Sequence, residues 1–247
     1  SVLDAFGGNA NITFITDKRY EGLFGHDPRV TNVIGYSRDN AGLIAQRLSR
    51  EHWDLVVDLQ NSPRSRKLYH AFTGTCPLGR LDKLHAQRIL LLLARINTYP
   101  ADSDILHRYH QAAGFPLEIN APRILLNAAR CRKTQEAFLK KSDPGRPAIA
   151  LFPFSAWRNK QWPPERYAAV ARAFLGDGWQ VTVFGGPGER AQADELMQRI
   201  GTHAGLVSLA GKTSVEETAC CLQRCSLALG NDTGLSHLAR ALGIKTG

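Results

Sequence analysis

No apolar run in this sequence approaches the ~18 residues that a membrane-spanning helix requires. The longest candidate, Ile89-Leu90-Leu91-Leu92-Leu93-Ala94, is much shorter and is flanked by Arg88 and Arg95. No secretory signal pattern opens the sequence. The five cysteines are odd in number and unevenly spaced, which argues against a disulfide framework and for a reducing compartment. These absences together make the cytoplasm the expected location. The Gly-x-Gly-x-x-Gly dinucleotide fingerprint is missing, which disfavours a nicotinamide dehydrogenase, and Gly211-Lys212-Thr213 lacks the upstream glycine of a Walker loop. No recognised nucleic-acid-binding motif accompanies the basic residues, so no nucleic-acid partner is expected.

What is present is positive charge and strand-helix alternation. A net charge of +9 favours anionic partners such as a nucleotide, a phosphorylated glycan or an acidic membrane surface. Solvated lysines and arginines are the ordinary alternative. The length suits one large α/β domain or two of ordinary size. Strand patterns over residues 12–16, 30–34 and 55–59 alternate with helical ones over 17–24 and 41–50, as βαβ units do. Residues 86–96 and 103–113 are expected to be helical. Proline-rich residues 115–123 suit a connector, giving expected domains of 1–122 and 123–247. Residues 2–6 resemble the last turn of a helix, and another strand is expected after Gly243, so the chain is expected to be truncated at both ends.

The second half carries sharper chemistry. Apolar Ser226-Leu227-Ala228-Leu229 is followed by Gly230-Asn231-Asp232-Thr233-Gly234-Leu235-Ser236-His237, and Leu235, Leu238, Ala239 and Leu242 then recur at helical spacing. This is a strand-to-helix turn in which Asp232 or Thr233 can cap the helix and free N–H groups can face an anion. An ordinary capped turn with a core-facing histidine is the alternative. The strand at 148–152 leads through Pro153-Phe154-Ser155 to Lys160-Gln161-Trp162-Pro163, where proline suits the first helical turn. A strand at 179–184 ends in Gly185-Gly186-Pro187-Gly188-Glu189. Cys220, Cys221 and Cys225 are expected to act as small apolar residues.

Taken together, Gly-Asn-Asp-Thr-Gly-x-x-His at 230–237 and Lys-x-Trp-Pro at 160–163 resemble the signatures of the lipopolysaccharide heptosyltransferases, glycosyltransferase family nine. The resemblance implies a GT-B type α/β fold, two Rossmann-like domains facing across a cleft, with the donor held mainly by the second. It implies inverting transfer of heptose from ADP-heptose to the anionic inner core of lipopolysaccharide, at a peripheral contact with the inner membrane. Donor-binding residues would be Ser155, Lys160, Glu189, Asp232, Thr233, Gly234 and His237, with Glu189 taking the ribose hydroxyls. Arg64, Arg66 and Lys67, in the loop after an Asp-x-Gln strand end, would bind acceptor carboxylates and phosphates; a solvated helix start is the ordinary alternative there. No metal and no cofactor is implied, since no Asp-x-Asp pair stands where metal-dependent transferases carry one. Relatives carry the general base in a loop that would precede Ser1, so no catalytic base is expected in this chain. Phe154 replaces the usual glycine, which keeps a catalytically silent glycan- or nucleotide-binding protein as the alternative.

Overall fold

The computed structural model describes residues 10–101, 103–114, 122–140, 142–157, 159 and 161–247. The helix end expected at residues 2–6 and most of the expected connector, 115–121, lie outside these. The described chain is α/β and forms two compact units, a smaller one of residues 10–11 with 36–114 and a larger one of residues 12–35 with 122–247. Along the chain, β1 (Thr13–Asp17), α1 (Glu21–Phe24) and β2 (Asn32–Tyr36) come first. β1 and β2 pair as a two-stranded sheet.

The smaller unit continues with α2 (Ala41–Leu48), β3 (Val56–Asp58), α3 (Pro63–His70), β4 (Leu78–Arg80), α4 (His85–Ile89) and α5 (Ile105–Ala113). β3 and β4 are parallel, with Val57 opposite Gly79. A Cβ at Gly79 would collide with the Ala112 carbonyl, so only glycine lets α5 lie this close to β4. Ile44, Leu48, Leu68, Phe72, Leu81 and Leu84 are its buried apolar residues. A π-turn, Leu90–Ala94, continues α4.

The larger unit adds α6 (Ala128–Phe138), β5 (Ala148–Phe152), α7 (Pro164–Gly176), β6 (Gln180–Val183), α8 (Arg190–Ile200), β7 (Leu206–Ser208), α9 (Val215–Leu222), β8 (Leu227–Gly230), α10 (Gly234–Ala241) and β9 (Lys245–Thr246). Its sheet runs β7-β6-β5-β8-β9, and every pairing is parallel. β5 is buried throughout, as a central parallel strand covered on both faces must be. Its side chains divide by parity. Ala148, Ala150 and Phe152 join Ala219, Leu222, Leu238 and Ala239 of α9 and α10. Ile149 and Leu151 join Tyr167, Ala171, Leu196 and Ile200 of α7 and α8. Each fully buried side chain of this kind contributes roughly 1.5–3 kcal/mol.

Two findings depart from the sequence reading. Residues 12–35 pack with the C-terminal residues: Leu23 joins the α9 side of the core, and the Arg29 guanidinium, paired with buried Asp27, donates to the Arg123 carbonyl at 2.9 Å. That guanidinium holds the Asp27 carboxyl below its ordinary range. In addition, Cys220 is not merely a small apolar residue, because it is bonded to Cys131 of α6 with an S–S distance of 2.10 Å. The two lie 89 residues apart, and only the packing of α6 on α9 brings them together. Cys221 and Cys225 are free and buried.

Candidate functional site

From β5 the chain winds outward through β6 to β7, then crosses back to β8 on the other side of β5. The loops after β5 and β8 therefore leave in opposite directions, and a crevice opens outside the carboxyl ends of these two strands. Gly230 makes the close approach possible, since a Cβ there would collide with that of Phe152.

The next residue ties the two loops together. Asn231, 6% exposed, accepts through Oδ1 from the Trp162 N–H at 3.0 Å and the Tyr167 hydroxyl at 3.1 Å. Its Nδ2 donates to the Pro153 carbonyl at 2.9 Å. Its own N–H donates to the Phe152 carbonyl at 3.0 Å, and its carbonyl accepts from Ser236 Oγ at 2.8 Å. Burial pushes the Tyr167 phenol up to about 12, which keeps it a neutral donor. Removing one partner of such a set leaves buried groups unpaired at about 1–3 kcal/mol.

On this frame stands the start of α10. Thr233 takes the N-cap position, but no side-chain bond from it caps the first turn. Its Oγ1 is buried and has no hydrogen-bond partner among the described residues. Of the two caps the sequence allows, Asp232 or Thr233, the one from Thr233 is not made. The positive end of the helix dipole at this start suits an anion. Gly234 adds no bulk, as nothing lies near the position its Cβ would take. One turn on, His237 Nε2 lies 3.7 Å from Asp232 Oδ1, both side chains about two-thirds exposed. Ser155, after β5, is half-buried, and its Oγ accepts from the Trp157 N–H at 3.3 Å. Lys160 lies outside the described residues.

The Glu189 carboxylate, after β6, accepts from the Gly186 N–H at 2.6 Å, so one oxygen serves its own turn. Phe154, which stands where the resemblance leads one to expect glycine, is buried in the core layer of α7 and α8. Its ring closes on Gly185, whose Cβ would lie 2.8 Å from Phe154 Cδ2. The departure thus fills core.

Arg64, Arg66 and Lys67 belong to the smaller unit. The helix-start alternative holds there: residues 63–67 open α3, which Ser62 caps through the Ser65 N–H at 3.2 Å, with Pro63 at the first position. All three cations are exposed, and Arg66 Nε donates to Asn61 Oδ1 at 2.9 Å. Buried Asp58, at the end of β3, holds the turn by accepting from the Gln60 and Asn61 N–H groups and from Ser65 Oγ, at 3.0, 2.7 and 2.8 Å. Cations at the positive end of a helix dipole reinforce one another as an anion-attracting surface. The chain does contain one Asp-x-Asp sequence, Asp102-Ser103-Asp104. Asp102 is outside the described residues, and Asp104 caps α5 through the Leu106 and His107 N–H groups at 2.8 and 3.2 Å.

Among the expected donor residues, Ser155, Asp232, Thr233, Gly234 and His237 follow adjacent strands, and Glu189 follows the strand beyond. Asn231, Trp162 and Tyr167 were not expected as site residues. The signal for Asn231 was a side-chain amide directly after a buried strand and a glycine, where a polar group must find partners.

The sequence matches the family described as glycosyltransferase family 9 (heptosyltransferase) over residues 42–246. It is 30% identical over 206 residues to lipopolysaccharide heptosyltransferase 1 of Pseudomonas aeruginosa, an alignment covering 81% of this chain and 55% of that protein. The chain thus spans little more than half of that relative. Its fold is similar to that of Escherichia coli ADP-heptose lps heptosyltransferase II, with a TM-score of 0.73 and 21% identity, covering 99% of this chain and 76% of that one. It is also similar to E. coli heptosyltransferase WaaC with ADP-2-deoxy-2-fluoro heptose, with a TM-score of 0.69 and 16% identity, covering 99% and 80%.

Proposed function

This chain belongs to glycosyltransferase family 9, the heptosyltransferases, and from that membership we propose that its larger unit binds the ADP moiety of ADP-heptose at the crevice outside β5 and β8. The observation that carries this reading is the start of α10, uncapped by Thr233 and backed by an unpartnered Thr233 Oγ1, on a turn that Asn231 holds rigid. The N–H groups of that first turn, Thr233 Oγ1 and Ser155 Oγ face the diphosphate, and the family motif assigns Lys160 to the same group. Asp232 positions His237 toward the same group, and Glu189 accepts from the ribose hydroxyls with the oxygen not used by Gly186.

In the proposed transfer, an acceptor hydroxyl attacks the anomeric carbon of the heptose, the bond to the diphosphate oxygen breaks, and ADP leaves with inversion. N–H donors and cations around the diphosphate stabilise the charge that develops on the leaving group, an electrostatic contribution that grows where water is excluded. The acceptor is the anionic inner core of lipopolysaccharide, met by Arg64, Arg66 and Lys67 at the start of α3. Transfer takes place in the cytoplasm, in peripheral contact with the inner membrane. No residue of this chain is assigned as the base that deprotonates the acceptor. The domain division follows the same reading, with an acceptor-side domain up to residue 122, of which residues 12–35 pack with the donor domain beyond it.

The test is calorimetric titration of ADP into the chain and into Asp232→Ala. Binding by the parent, weakened by about 1 kcal/mol or more in the variant, is the expected result. A folded chain that takes up no ADP would overturn the donor-site reading.

A further inference from the structure

The segment from Leu84 to Ile96 has no part in the site above. α4 and the π-turn after it leave Ile89, Leu90, Leu91, Leu92, Leu93 and Ile96 exposed, Leu92 at 68% and Leu93 at 83%. Every residue from Arg88 to Thr98 is exposed. A helix seated in a groove would bury one stripe; this one buries none and leaves even Leu90 and Leu91 about 40% exposed, which matches an apolar medium against it. It is also far too short to cross a bilayer, as no described helix is long and apolar enough to do so.

The backbone brackets this segment on both sides. Leu84 and Arg95 are left-handed non-glycine residues, with φ of 51° and 58°, a conformation that costs energy and clusters with π-turns at functional segments. The Leu84 side chain is buried and its N–H donates to Asp82 Oδ1 at 2.8 Å, so the helix leaves its unit abruptly from an anchored residue. Charge supplies the complement. Lys83, Arg88 and Arg95 flank the aliphatic run, and no aspartate or glutamate occurs from Lys83 to Ala101.

We propose that residues 84–96 are a membrane-docking element, which lays its aliphatic side chains into the headgroup boundary of an anionic phospholipid bilayer while Lys83, Arg88 and Arg95 meet the lipid phosphates. Interfacial segments bind in this way, by buried apolar area together with attraction of basic side chains to anionic lipid. This gives a location to the membrane contact of the function proposed above, and it stands or falls without the donor site.

Co-sedimentation of the chain with vesicles tests it, using phosphatidylcholine alone and an equal mixture with phosphatidylglycerol. Binding to the mixture, and much less to phosphatidylcholine, is expected. Arg88→Gln with Arg95→Gln should weaken that binding roughly 30-fold, and Leu92→Glu with Leu93→Glu should abolish it. All four side chains are exposed, and circular dichroism verifies the fold of each variant. Absence of binding by the parent chain, or equal binding by the variants, overturns the proposal. So does a parent chain that self-associates without vesicles and becomes monomeric in the glutamate variant without ever binding lipid, because the run is then an interface between copies. ADP titration of the same variants should be unchanged, which separates failure here from failure of the donor site.

Discussion

The Thr233 hydroxyl is buried without a partner among the described residues, an arrangement that costs stability unless something else uses it. A ligand phosphate would satisfy it. Thr233→Val is therefore expected to leave stability toward urea unchanged, or to raise it by up to about 1 kcal/mol, while weakening ADP binding by about 1 kcal/mol or more. Lower stability with unchanged ADP affinity would mean that the hydroxyl serves the fold. The cysteines give a second test at this scale. Burial pushes the Cys221 and Cys225 thiols up to about 12, so the reactive thiolate is scarce at neutral pH and grows only as pH rises toward that value. In the folded chain, alkylation at pH 8 is expected at Cys76 alone, as identified by mass spectrometry. Modification of Cys221 or Cys225 at that pH would contradict the burial described here.

At the scale of elements, strands with continuous apolar runs were legible in the sequence. β5, β6 and β8 fall within a residue or so of where the pattern put them, because burial on both faces writes itself into consecutive residues. β4 was not legible, since three residues centred on Gly79 carry no period, and the reason for that glycine is the carbonyl of Ala112 in another element. At 60–67 the helix start weighed as the alternative is the one formed, because Ser62, Pro63 and Ser65 supply its start signal. The tie between α6 and α9 was equally unreadable, as nothing local marks Cys131 as the partner of Cys220. Thiol counting in denaturant should find three free cysteines without reductant and five after reduction. Five at the outset would mean that the pair exists as thiols in the isolated chain, as a reducing compartment favours.

For the molecule as a whole, the motifs pointed to the proposed donor site because its chemistry is local to two strand-helix turns, whereas the packing of residues 12–35 depended on contacts more than ninety positions away. The Asn231 side chain has a further consequence for motion. It holds Trp162 and Pro153 on one side of the crevice while its main chain leads directly into α10 on the other, so neither wall can loosen without breaking the same bonds. The two walls then share one local opening equilibrium, and in deuterium exchange the amides of Trp162 and Asn231 should open together, slowing in step when nucleotide is bound.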